Sequence, residues 1–204
     1  MFSWFIELDH KVFLYLNRIH SPVCDQIMFW ISSDTFWIPL YIVFLIIIIY
    51  RERPFNFIYT ILFIVIAVTL SDQISVLIKN LVERPRPTYN FKFADIVHTV
   101  NNYRGGPFGF VSSHAANVFC VATFLAYQFK TYKWSLFLLF WATLVSYSRI
   151  YLGVHYPLDI ICGAVLGALL GTQIFVFKVR TQVAINRRIQ IRIEKKEEEL
   201  KKKG

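Results

Sequence analysis

Three short stretches of the 204-residue chain hold residue types that could act together on a phosphate. The first runs from Lys79 to Arg86-Pro87, the second is Val111-Ser112-Ser113-His114, and the third runs from Ser148-Arg149 through His155 to Asp159. His155 and Asp159 stand four apart, with Pro157 between them at what reads as a helix's first turn. On a helix those two positions share a face, so the carboxylate can orient the imidazole. An aspartate holding one ring nitrogen leaves the other unprotonated, basic and nucleophilic. Ser112 sits at an N-cap position for the apolar run that follows, and Ser112-Ser113-His114 would offer free backbone N–H groups to an anion. Lys79, Arg86 and Arg149 add positive charge, and the guanidinium forks match phosphate oxygens two at a time. These are the parts of a metal-free phosphoryl-transfer site, a reaction in which positioning and charge neutralisation are most of the protein's task.

The elements that must position these residues are strongly apolar. Apolar types make up 56% of the chain and charged types 17%, with a mean hydropathy of +0.48, whereas an ordinary soluble domain is about a quarter charged. The 20 Phe, 11 Tyr and 5 Trp suit a bilayer, where aromatics gather at the headgroup level. The composition excludes a disordered, collagen-like or disulfide-stapled chain and indicates an integral membrane protein. Apolar runs at Phe36–Tyr50, Phe55–Ile78, Ala115–Phe129, Trp134–Ser148 and Leu158–Phe177 predict transmembrane spans, several extending into flanking residues to reach the roughly 20 positions a helix needs. Before them, Val12–Leu16 and Ile27–Ile31 are patches broken by Asn17, Arg18, His20, Pro22 and Asp25. At helical spacing Phe13, Leu16 and Ile19 share a face, which predicts an interfacial helix. A second short helix after Pro22 would turn back or complete a sixth span. The expected fold is therefore all-α, a polytopic transmembrane helical bundle with five spans and six helices. Residues 1–33 form interfacial or re-entrant helices, 34–178 the transmembrane core with site loops 79–113 and 149–157, and 179–204 a basic tail.

Charge orients this arrangement. From Lys178 to Lys203 ten Lys or Arg stand against four Glu, which accounts for +6 of the chain's net +9. Arg51 and Arg53, then Lys130 and Lys133, then that tail close alternate spans on one side, which the positive-inside rule makes cytoplasmic. The two site loops then share the outer face. Lys79, Arg84, Arg86, Lys92 and Arg104 lie in the first of them against the rule, and basic residues that break a topology bias point to an anionic ligand. Nucleic acid is a poor partner for a surface mostly buried in lipid. The N-terminus lacks a basic n-region and a small-residue cleavage site, so it is expected to be retained. Cys24, Cys120 and Cys162 are an odd count without metal-like spacing, and the latter two sit in apolar runs as small hydrophobes.

Each part also has a plainer reading. His10, His20 and His98 fit polar interfacial residues, the Arg84-Pro85-Arg86-Pro87 run a stiff basic loop, Asp159 a helix cap, and Asp72 a carboxylate paired inside a span. The composite is more specific than any piece. It resembles the type 2 phosphatidic acid phosphatase superfamily, which includes membrane lipid phosphatases and vanadium haloperoxidases. Lys79 to Arg86-Pro87 matches the first part of that signature, Lys-x6-Arg-Pro, in spacing. Ser148-Arg149 through His155 to Asp159 matches the third, Ser-Arg-x5-His-x3-Asp. The second, Pro-Ser-Gly-His, becomes Val111-Ser112-Ser113-His114, with Ser112 and His114 kept.

The resemblance implies a helical bundle, typically of six helices, with its site at the outer membrane face and no metal cofactor. It assigns His155 the attack on phosphorus to form a phosphohistidine and Asp159 the hold on its ring. His114 protonates the leaving oxygen and then activates water, while Lys79, Arg86, Arg149, Ser112 and the adjoining Ser113 hold the phosphate. Relatives in this superfamily act on undecaprenyl diphosphate, phosphatidylglycerophosphate or lipid A. Arg84, Lys92 and Arg104 could meet a second phosphate, so undecaprenyl diphosphate is the expected substrate and the other two the alternatives. Two rival classes are a zinc hydrolase using His98, His114, His155 and Asp159, and a non-catalytic lipid-binding or transport protein. The first lacks a His-x-x-x-His pair, and the second has no need of two histidines.

Overall fold

The computed structural model describes residues 2–52 and 56–203, and among them every regular element is a helix. Seven α-helices follow one another: α1 (Phe2–Asn17), α2 (Pro22–Ile31), α3 (Ile38–Arg51), α4 (Asn56–Val82), α5 (Ser113–Phe129), α6 (Tyr132–Tyr151) and α7 (Pro157–Lys203). Local chemistry explains several of the boundaries. Ser21 accepts the N–H of Cys24 and Pro22 opens α2, a proline at a position whose N–H would have no partner anyway. Ser112 caps α5 by accepting the N–H of Ala115, and α7 opens on Pro157. The five expected spans are helices α3 to α7. Residues Asp34–Arg51, Asn56–Val82 and Pro157–Lys202 are long and apolar enough to cross a membrane. The Phe55 boundary of the second expected span and the charge of Arg53 lie outside the described residues.

Helix α5 is the centre of the bundle and packs on α4, α6 and α7. Its buried side chains, among them Phe124, Leu125 and Phe129, meet Phe44 and Ile48 of α3, Phe63 of α4, and Leu138 and Trp141 of α6. Its approach to α7 is closest because α7 presents Gly163, Gly167 and Gly171 on one face. A Cβ at Gly167 would stand 2.1 Å from the carbonyl oxygen of Ala116, and one at Gly171 would stand 2.4 Å from that of Cys120. Small residues every fourth position let two backbones meet where larger ones hold them apart. The seam ends at the site: the Ser112 N–H donates to the Asp159 carbonyl at 3.0 Å.

The N-terminal stretch makes the two helices read there, and with the five that follow they give seven among the described residues, one more than the six expected. The predicted apolar face of α1 is the buried one only in part, through Phe13 and the half-buried Leu16. Asp9, Phe13 and Asn17, each four apart, are the buried positions, while Ile19 lies past the helix end and is exposed. Phe13 packs with Phe93, Ile150 and Tyr156. Asn17 donates to the carbonyls of His98, Ile150 and Tyr151 and accepts the His98 N–H. Polar groups go inside here because each has a dedicated partner. Trp4, Phe5, Leu8 and Tyr15 face outward on the same helix.

Candidate active site

His155 sits in the short loop between α6 and α7 and is 1% exposed. Its Nδ1 lies 3.4 Å from Asp159 Oδ2, and its Nε2 lies 3.3 Å from Arg86 Nη1. A carboxylate beside Nδ1 favours the tautomer with the proton there, so the lone pair on Nε2 faces the cations. Burial, and then Arg86, Arg149 and Lys79, push the imidazole well below its ordinary pKa, so the ring is neutral. Asp159 stands in the first turn of α7, and its Oδ2 accepts the N–H of Tyr156 at 3.0 Å, which closes the loop that carries His155.

The cations arrive from three elements. Lys79, in the last turn of α4, donates to Ser113 Oγ at 3.0 Å, and Ser75 Oγ donates to the same oxygen at 2.7 Å. Arg86 is held by Nε donating to the Phe108 carbonyl at 3.0 Å and by its backbone N–H donating to Pro107. Gly105 lies against it: a Cβ there would come 2.7 Å from Arg86 Nη1, and its φ of +68° is one glycine adopts freely. Arg149, near the end of α6, is buried and donates to Ser32 Oγ and to Tyr103 Oη, while its Nε has no partner in the protein. A buried guanidinium with an unpaired donor is suited to an anion.

These groups line one end of a cavity of about 670 Å³. Lys79, Arg86, Ser113, His114, Arg149 and His155 form its polar end, and Tyr41, Phe44, Ile61, Val65, Val121 and Trp141 carry it on between α3, α4, α5 and α6. Two site residues expected from the sequence lie elsewhere. Asp159 stands behind His155, and Ser112 is fully buried with its hydroxyl engaged in the α5 cap. His114, in the first turn of α5, has Nε2 3.8 Å from Asp34 Oδ1. Asp72 lines the cavity and accepts Asn117 Nδ2 at 3.3 Å.

The three cations expected to meet a second phosphate do not line this cavity. Lys92 and Arg104 are exposed, and Arg84 binds Asp9 and Asp159. The four groups weighed for zinc do not come together as one ligand set, although His155 and Asp159 are neighbours: among the described residues the group with metal-like spacing is His20, Asp25 and His98, and His98 Nε2 there meets Asp25 Oδ1 at 2.9 Å. Sequence reasoning missed Asp9, Asp34, Ser75 and Tyr103. Asp9 carried a weak signal as an acid within an apolar N-terminal stretch, and Ser75 carried one as a polar residue in a span. Tyr103 carried none.

Cations and a neutral, carboxylate-backed imidazole at the mouth of an apolar cleft between membrane helices serve one class of molecule, a phosphate ester whose other part stays in lipid. Fold and site thus define a membrane protein of lipid-phosphate chemistry. Residues 58–182 match the PAP2 superfamily, and the chain belongs to it; it is a membrane lipid phosphatase. It is 37% identical over 169 residues to a lipid A 4′-phosphatase of Bacteroides thetaiotaomicron, covering 82% of this chain and 75% of that one. It is 35% identical over 180 residues to a lipid A 4′-phosphatase of Porphyromonas gingivalis, covering 87% and 75%. An undecaprenyl-diphosphatase of Sulfolobus acidocaldarius is 30% identical over 166 residues, covering 80% and 75%. The fold is that of Aquifex aeolicus LpxE, with a TM-score of 0.63 at 24% identity over 85% of this chain and 95% of that one. It is also that of the first transmembrane PAP2-type phosphatidylglycerolphosphate phosphatase from Bacillus subtilis, with a TM-score of 0.66 at 22% identity over 85% and 86%.

Proposed function

We propose that this chain hydrolyses a lipid phosphate monoester, the 4′-phosphate of a lipid A, through a phosphohistidine and without a metal. The observation that carries the mechanism is His155 Nε2 turned to Arg86 at the polar end of the apolar cavity, with Asp159 behind Nδ1. The Nε2 lone pair attacks phosphorus while Lys79, Arg86 and Arg149 neutralise the phosphate oxygens. As the bond to the lipid oxygen breaks, His114 gives that oxygen a proton, and the bound phosphate's charge is what lets a histidine among cations carry one. Water then attacks the phosphohistidine, His114 takes the water's proton, and inorganic phosphate leaves. Ser113 holds Lys79 in place through its hydroxyl, and Ser112 contributes by fixing the end of α5.

Two lines support the monoester. Two relatives at 35% identity or above carry the name lipid A 4′-phosphatase. The cations that favoured a diphosphate, Arg84, Lys92 and Arg104, lie outside the cavity lining, leaving three cations for one phosphate. Undecaprenyl diphosphate is the second reading, favoured by the relative that bears that name. The distribution of Lys and Arg supports a periplasmic site and a cytoplasmic tail, in a bacterial inner or plasma membrane. The test is phosphate release by purified protein in detergent with excess chelator, from lipid A, undecaprenyl diphosphate, phosphatidylglycerophosphate and phosphatidic acid, each repeated with His155→Ala. Release from lipid A that is lost in the variant is the expected result. Preference for the prenyl diphosphate would overturn the substrate, and release that needs added metal would overturn the mechanism.

A further inference from the structure

Arg84 falls between two functional positions of the first motif, yet its charge is directed away from the cavity. Its Nη1 donates to Asp159 Oδ1 at 2.7 Å, and its Nη2 donates to Asp9 Oδ2 at 2.6 Å. Its guanidinium also lies over the Tyr156 ring, 4.2 Å from the centroid. Asp9 uses its other oxygen to accept the N–H of Leu158 at 2.9 Å, one of the free donors at the start of α7. The side chains of Asp9 and Asp159 are 2% and 0% exposed. One arginine thus joins two carboxylates that have almost no access to water, one on the first helix and one on the last.

We propose that Arg84 and Asp9 are positioning residues that set Asp159, and through it His155, for attack on the phosphate. The proposal rests on His155 as the nucleophile and adds to it. Asp159 has two oxygens with separate duties. Oδ2 faces His155 Nδ1 and accepts Tyr156 N–H, and Oδ1 goes to Arg84. A buried carboxylate facing only an imidazole and an amide would lack a counter-charge, and it would be free to turn about its Cβ–Cγ bond. Arg84 supplies the charge and removes the rotation. Asp9 does the same for Arg84: without it the guanidinium has one anchor instead of two and could swing toward the cations and phosphate of the cavity. The helix that reads as interfacial is on this account a support behind the active site.

The experiment is steady-state kinetics of the full chain in detergent, on the lipid that the wild type hydrolyses, with Arg84→Met, Arg84→Lys, Asp9→Asn and His155→Ala. Arg84→Met should lower kcat by about 10- to 100-fold, as loss of groups that orient a reactive residue does elsewhere, with KM little changed. Arg84→Lys should recover part of that loss, since it restores the charge without the fork. Asp9→Asn keeps an acceptor for Leu158 N–H and loses the charge, so kcat should fall less, again at steady KM. A raised KM with kcat intact in Arg84→Met would make Arg84 a substrate ligand and overturn the proposal, as would wild-type kcat in both Arg84→Met and Asp9→Asn. If Arg84→Met elutes as aggregate, the Arg84→Lys and Asp9→Asn pair decides by the same split. Turnover surviving in His155→Ala would overturn the nucleophile itself, whereas an inactive His155→Ala beside a fully active Arg84→Met would overturn only the positioning role.

Discussion

The state of His155 follows from its surroundings, and so does its response to pH. Burial and the cations Arg86, Arg149 and Lys79 hold the imidazole well below its ordinary value of about 6.5. The proposed nucleophile is therefore unprotonated across neutral pH in the free protein, and the acid limb of kcat/KM should lie below about 6.5. Arg149→Gln removes one of those cations, so that limb should move upward while kcat/KM falls by about 100- to 1,000-fold; a pH–rate profile of each protein checks both. Stability has a matching sign. Below about pH 6.5 the unfolded chain takes up a proton at this position and the folded chain resists it, so the folded state should lose stability as the medium acidifies from there. Thermal unfolding at a series of pH values should show that loss, and His155→Gln should flatten it. Much of this site was legible in the sequence, because Lys79, Arg86, His114, Arg149 and His155 bear chemistry at set spacings. The directions of Arg84 and Ser112 were not. A cation in a basic loop reads as a ligand for an anion until its carboxylate partners are known, and Asp9 is 75 positions away.

At the scale of elements, the seam between α5 and α7 sets the site's dimensions. A Cβ at Gly167 falls 2.1 Å from the Ala116 carbonyl oxygen and 2.9 Å from the Cys120 nitrogen, both backbone atoms of α5, so the helices must separate to admit it. Gly167→Val should lower stability by about 1–3 kcal/mol and reduce turnover as well, since the Ser112–Asp159 backbone bond lies on the same seam. Gly167→Ala should do both to a lesser degree, and unfolding in detergent alongside phosphate release measures them. The helices themselves could be read from apolar runs, because a span needs length and hydropathy and little else. Which face each one buries is a different matter. Lipid accepts apolar side chains on every side, so hydropathy does not distinguish outside from inside. Gly163, Gly167 and Gly171 carried the inside signal for α7 at i, i+4 and i+8. For α1 the apolar residues gave Phe13 and Leu16 but not the polar half of the buried face, since the partners that make burial of Asp9 and Asn17 favourable lie 75 to 149 positions away.

For the whole molecule, the cavity and the tail are separable. Helix α7 has 47 residues, about 70 Å at helical rise, and so extends far beyond any bilayer crossing. Lys178 still belongs to the bundle, where it donates to Glu52 and Gln128, but Val183 to Lys202 are exposed and the cavity does not include them. Removing residues 183–204 should therefore leave kcat/KM unchanged, as assayed on the purified truncated chain. A cysteine placed at Asn101 should react with a membrane-impermeant thiol reagent applied from the outer side, which checks the orientation inferred from charge. The bond from Leu158 N–H to Asp9 has its own consequence for how the chain is made. Asp9 leaves the ribosome ahead of the other residues of this network, and it meets the Leu158 N–H only when the start of α7 has emerged 149 residues later. Until then its carboxylate and that of the incoming Asp159 have no shared arginine to meet at, so a growing chain carries most of its membrane helices before it can carry any activity. Emergence of the start of α7, rather than insertion of the first spans, is the event that assembles the site.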